Sequence, residues 1–215
     1  MFSPFVHGLS IDADGNVWIA DAGLHTVTCH EPDGTLLLEL GTRDAAQPTF
    51  YGQPFNMPTG TAFTANGDVY VSDGYGNRRV HHFSADGKLL SSWGGPGAGP
   101  GEFALVHFIG ADASDRLHVC DRENDRIQVF APDGAFISEW TGFNRPSDIA
   151  FGKDAIYVAG ADGLWIFGPD RSLLARFTPD APHEGAFNVH GIWLDAQENI
   201  YLAQFDRAVS KLSRR

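Results

Sequence analysis

The chain has 215 residues, enough for one domain with a sizeable core; 12% are aromatic, 25 are glycine, and the formal charge is −12. That charge repels nucleic acid and anionic lipid, so neither is expected as a partner, and an anionic substrate would need a local cationic site. Cys29 and Cys120 make no disulfide framework, and no apolar run approaches the ~20 residues of a membrane span.

The opening MFSPFVHG has neither the basic start nor the apolar stretch of a secretion signal, so the chain as written reads as cytoplasmic. An upstream segment would instead open a secreted or periplasmic location.

From His7 on, one script repeats at roughly 35–50 residues, the range of propeller blades. The first copy runs HGLSIDADGN, VWIAD, TVTCHE and TLLLELG. The second runs TGTAFTANGD, VYVSD, RVHHFS and KLLSSWG, after a long connection from Thr42 to Pro54. The third is HFIGADASDR, LHVCD, RIQVFA and AFISEW; the fourth is SDIAFGKD, IYVAG, LWIFGP and SLLARF. The fifth, HGIWLDAQEN, IYLAQ and AVSKLS, ends after its third strand.

Alternating apolar residues and Asp-Gly-type turns are hairpin signals, and four strands per repeat make a β-propeller blade. No segment holds a 3.6-residue apolar period, which predicts under ~5% helix. The expected fold is therefore all-β: a single propeller domain over 1–215, with five four-stranded blades, the last incomplete, cut from a six-bladed design. A ring short of a blade exposes strand edges, and a homodimer through those edges is expected.

Three copies open on histidine: His7, His107 and His190. The intervening copies carry Thr59 and Ser147 there. In a blade the first strand lines the channel, so the three imidazoles point inward from alternate blades. In a six-fold ring those blades stand 120° apart, and three histidines with one open position is how catalytic zinc is held. The start of the first strand and the loop after the second share one rim. That brings Asp73-Gly74-Tyr75-Gly76-Asn77 and Asp121-Arg122-Glu123-Asn124 to the histidines.

These motifs carry a resemblance. DGYGNRR, DRENDR and a histidine opening alternate blades are together similar to the NHL-type propellers of the peptidyl-α-hydroxyglycine α-amidating lyases (peptidylamidoglycolate lyases). The likeness is strong from His7 to about Trp140 and weaker beyond. It implies that His7, His107 and His190 bind catalytic zinc, that Tyr75 is the base and that Arg122 binds the substrate. The implied reaction cleaves a carbinolamide C–N bond in a small-molecule or peptide substrate, giving an amide and glyoxylate.

Three features depart from the family. Gly76 replaces a disulfide cysteine, and Gly191 replaces an aspartate that helps bind calcium, which argues against calcium here. A further substrate-binding arginine lies in the blade this chain lacks.

On the chemistry alone, Tyr75 could accept the substrate's hydroxyl proton if Arg122 and a metal lowered its pKa. All five site residues are expected to line one pocket. Two other functions stay open: a non-catalytic NHL scaffold binding protein or peptide, and a propeller hydrolase such as a lactonase. Asn77, Arg79, Asn124 and Arg126 read as ties between second and third strands. Cys120 reads as a small core residue, and His25, His30, His81, His82, His118 and His183 as structural or exposed.

Overall fold

A computed structural model describes residues 1–178, 189–204 and 209–213. Blade 1 comprises β1 (Val6–Ile11), β2 (Val17–Asp21), β3 (Thr26–His30) and β4 (Leu36–Gly41). Blade 2 comprises β5 (Pro58–Phe63), β6 (Val69–Asp73), β7 (Arg79–Phe83) and β8 (Leu89–Trp93). Blade 3 holds β9 (Val106–Ala111), β10 (Leu117–Asp121), β11 (Arg126–Phe130) and β12 (Phe136–Thr141). Blade 4 holds β13 (Asp148–Phe151), β14 (Ile156–Gly160), β15 (Gly163–Phe167) and β16 (Leu173–Phe177).

Blade 5 has three strands, β17 (Val189–Leu194), β18 (Ile200–Gln204) and β19 (Ser210–Leu212), so the strand script read from the sequence is what forms. The strands within each blade pair antiparallel, and the helical content among the described residues is one 3₁₀ turn, Arg122–Asn124.

The core lies between blades. Trp18 and Val27 of blade 1 pack on Phe55 and Val71 at the second. Tyr70 and Val80 meet Ile109 and Val119, Cys120 and Ile127 meet Val158 and Trp165, and Ala159 meets Val189 and Leu202. Each such apolar side chain taken fully from water contributes ~1.5–3 kcal/mol. Among the described residues no buried cluster joins blade 5 to blade 1. There Leu9, Ile11, Trp193 and Val209 stay exposed.

A β-bulge sits at the start of the axial strand in four blades. The β1–β2 register skips His7, β5–β6 skips Thr59, β10–β9 skips His107 and β17–β18 skips His190. A bulge leaves one residue out of the ladder and re-aims its side chain; here it turns the repeat-opening residue toward the axis. The axial strands then run too close for a side chain next to that residue. A Cβ at Gly8 would lie 2.4 Å from the Thr59 carbonyl oxygen.

In blades 1 to 3 the aspartate ending the second strand fixes the segment leading into its own blade. Asp73 accepts the Asn56 N–H at 3.0 Å, Asp121 that of Ala104 at 2.9 Å, and Asp21 that of Ser3 at 2.8 Å.

Candidate metal and catalytic centre

The three repeat-opening histidines converge. Their ring centroids form a triangle with every side 4.8 Å. Equal sides are what blades spaced by 120° produce. The nitrogens that could bind an ion all lie within 4.8 Å of one another.

The intervening blades fix the tautomers. His7 Nδ1 lies 2.7 Å from the Thr59 carbonyl oxygen, and His107 Nδ1 lies 2.7 Å from that of Ser147. A carbonyl only accepts, so each Nδ1 carries the hydrogen and each Nε2 presents a lone pair to the centre. The alternation in the sequence thus has two halves: histidine blades supply the converging imidazoles, and Thr59 and Ser147 supply acceptors that orient two of them. Burial keeps the rings neutral. It lowers His7 to about 4, with His190 and Arg122 adding to the drop, and holds His107 well below its ordinary value. Burial and Arg122 also lower His190.

A tetrahedral ion at the ~2.0–2.1 Å typical of zinc needs its nitrogens about 3.3 Å apart. The triangle meets this if each imidazole moves inward by under about 1 Å. Three imidazoles held below their ordinary pKa, two of them with inward Nε2 lone pairs, and no carboxylate are a zinc-type donor set. Among the described residues this is the only group of three or more His, Cys, Asp or Glu side chains placed to share an ion.

Tyr75 caps the triad from the rim. Its hydroxyl is 3.1 Å from His7 Nε2 and 3.2 Å from His107 Nε2. Phe5 packs on the Tyr75 ring at 5.6 Å. Arg78 clasps the loop beneath it, donating to the carbonyls of Gly74 at 2.7 Å and Asn77 at 2.6 Å. The loop has no room for a side chain, since a Cβ at Gly74 would come 1.7 Å from the Val106 carbonyl oxygen. Arg122 stands 5.9 Å from the Tyr75 ring centroid. It shares the Glu123 carboxylate with Arg145, at 2.8 and 2.7 Å, so two cations face one anion.

Burial is the largest influence on Tyr75 and raises it, and Arg122 opposes it only in part. One expectation needs correction: the five residues do not line one cavity. The cavity beside the triad, about 350 Å³, is lined by the three histidines with Leu9, Asp148, Ile192 and Trp193, but not by Tyr75 or Arg122. The phenol lies across the histidine nitrogens from the rim, so the void opens on the side toward blades 5 and 1.

Asp148, in that lining, is a group the sequence did not single out. Burial pushes its pKa to about 8, against the Ile192 and Ile149 N–H bonds that lower it. Arg78 and Arg145 were also missed; their only signal was proximity to the two rim loops.

The remaining assignments divide. Asn77 bonds Asp73 at 2.9 Å, Asn124 bonds Asp121 at 2.8 Å, and Arg126 bridges Asp121 and Glu139, all as ties within their blades. Arg79 differs: its Nε is buried without a partner, and its guanidinium lies against Gly52. His81 is buried between Asp73 and Ser92, His82 pairs with Asp68, and His25 accepts the Met57 N–H. His30 bonds Thr28, and Cys120 is fully buried with a thiol pushed well above its ordinary value. His183 lies outside the described residues.

The NHL repeat family matches residues 55–83, the lead-in and first three strands of blade 2. Over 212 residues the chain is 32% identical to the peptidyl-alpha-hydroxyglycine alpha-amidating lyase 1 of Drosophila melanogaster, covering 93% of this chain and 37% of that protein. The chain is an NHL-repeat propeller of the amidating-lyase family. It is also 43% identical over 136 residues to the peptidylglycine alpha-amidating monooxygenase of Rattus norvegicus, which spans 59% of this chain and 14% of the rat protein. The chain thus spans well under half the length of these curated relatives. A solved streptogramin B lyase aligns at a TM-score of 0.70 over 98% of this chain and 69% of its own, at 16% identity, and so shares the fold.

Proposed function

We propose that this amidating-lyase propeller is a zinc-dependent lyase that cleaves a carbinolamide C–N bond, releasing an amide and glyoxylate. The observation that carries the reading is the equilateral triangle of neutral imidazoles, each side 4.8 Å, with a phenol hydroxyl against two of them. His7, His107 and His190 would hold the ion. Zinc bound there would supply a fixed double positive charge that polarises the substrate hydroxyl.

The chain's own groups do the rest. Thr59 and Ser147 hold His7 and His107 in the tautomer that leaves Nε2 free to bind. Tyr75, within 3.2 Å of two of these nitrogens, is the group placed to accept the hydroxyl proton once Arg122 and the charge zinc would supply lower a phenol that burial alone raises. Loss of that proton lets the C–O electrons form the aldehyde C=O as the C–N bond breaks, and the departing amide nitrogen takes up a proton. Arg122 suits the carboxylate of the glycolate unit, because a guanidinium pairs with it through two parallel hydrogen bonds.

The test is metal analysis joined to product release. The chain, loaded with zinc and dialysed, should retain about one ion and release glyoxylate from an N-acyl-α-hydroxyglycine. Zinc without glyoxylate would keep the centre and sink the lyase. Neither zinc nor glyoxylate would return the chain to the non-catalytic scaffold.

A further inference from the structure

On the rim opposite the histidines, a cavity of about 200 Å³ lies between blades 3 and 4. Three turns wall it: Asp112–Arg116 between β9 and β10, Gly152-Lys153 between β13 and β14, and Pro169–Arg171 between β15 and β16. Arg116, Lys153 and Arg171 all face it, and Asp112 is the one carboxylate among the described lining residues. Arg116 Nε donates to Asp112 at 2.8 Å, while Arg171 lies 4.8 Å from the Trp140 ring centroid. The cavity is thus cationic in a chain whose formal charge is −12.

The repeat supplies an internal control. The corresponding groove between blades 2 and 3 is lined by Asp68, Asp115 and Asp133. In the repeat, Asp68 stands where blade 3 has Arg116, and Asp115 lies in the turn where blade 4 has Lys153. The same groove therefore carries opposite charge one blade further on, so the fold does not require the cations.

The second observation is His118. Its side chain is 1% exposed and lines the cavity, and its Nε2 lies 3.0 Å from Asp112 Oδ2. Its Nδ1 is buried and has no hydrogen-bond partner among the described residues. A carboxylate accepts, so Nε2 carries the hydrogen and Nδ1 is a bare acceptor. Burial holds the imidazole below its ordinary pKa despite Asp112, so it stays neutral near pH 7. An unsatisfied buried acceptor is costly, and a donor brought by a ligand would relieve it.

We infer that this cavity binds a small oxyanion that carries its own hydroxyl. The oxygens sit on Arg116, Lys153 and Arg171, and the O–H donates to His118 Nδ1. Hydrogen phosphate and α-hydroxy carboxylates share that chemistry. Sulfate and acetate have the charge and shape but no hydrogen to give.

The experiment titrates the whole chain, at low ionic strength and pH 7.5, with phosphate against sulfate and with glycolate against acetate. The readouts are calorimetry and the ¹⁵N shift of the His118 imidazole. At least one pair should favour the hydroxyl-bearing member by about tenfold, with Nδ1 moving on saturation; the pair that discriminates identifies the ligand as phosphate or carboxylate. R171Q should weaken all binding several-fold. His118→Tyr should erase the discrimination and leave sulfate or acetate binding in place. That variant keeps an aromatic ring where Tyr70, Tyr157 and Tyr201 stand in their own blades. Equal affinity within both pairs would reduce the cavity to diffuse surface charge and overturn the inference. So would discrimination that survives His118→Tyr, or no saturable binding of any probe at millimolar concentration.

Discussion

Replacing His107 by alanine separates the metal centre from the fold. The imidazole is 1% exposed, hydrogen-bonds the Ser147 carbonyl at 2.7 Å and touches His7, His190 and Tyr75. Its loss leaves a buried carbonyl without a donor and a void among three rings, together costing about 2–4 kcal/mol. The zinc contribution comes on top. A ligand at a thousand times its Kd stabilises by about 4 kcal/mol. In a chain of this size each kcal/mol moves Tm by about 2–4 °C, so saturating zinc should raise the wild-type melting temperature by about 8–16 °C.

With only two imidazoles left, the variant should lose that rise while melting only moderately below the metal-free wild type. Melting curves of both proteins, with zinc and with a chelator, separate the two effects. A wild type that zinc does not stabilise, or a variant stabilised as much, would refute the three-histidine centre.

Tyr75→Phe keeps the ring against Phe5 and removes the hydroxyl, so glyoxylate release should fall by about 10²-fold or more with zinc retained; an unchanged rate would remove Tyr75 from the reaction. Arg122→Lys keeps the charge and loses the paired donors, which should raise KM more than it lowers kcat in the same assay. Asp148 is raised on folding to about 8 from 3.8, so its contribution is full below pH 3.8 and is lost as pH rises toward 8. Asp148→Asn cannot ionise; in denaturant titrations it should gain on the wild type by a few kcal/mol between pH 5 and 8, and parallel curves would disprove the shift. We also propose that the exposed seam residues Leu9, Ile11, Trp193 and Val209 drive self-association. Light scattering should then show a dimer that Trp193→Asp weakens, and a wild type that stays monomeric would count against it.

The sequence by itself determined the blades, because the period-2 alternation and the turns between strands are local. It also named the triad, because histidine recurs at one place in the script and the script fixes which strand end meets the axis. It could not show what turns and orients those histidines. The bulges at His7, His107 and His190 are register events between two strands. The carbonyls of Thr59 and Ser147 that set the tautomers come from neighbouring blades, 52 and 40 residues away along the chain.

The Tyr75 shift and the placing of the cavity have the same origin. Whether Tyr75 is raised or lowered depends on how burial compares with the charge of Arg122, and burial exists only in the folded ring. Where the cavity opens depends on which side of the triad the phenol covers. Asp148 and the orphaned Nδ1 of His118 were invisible for that reason: a carboxylate or an imidazole in a strand carries no local mark of its surroundings. Only the packing of one blade on the next decides whether such a group meets water, a partner or neither.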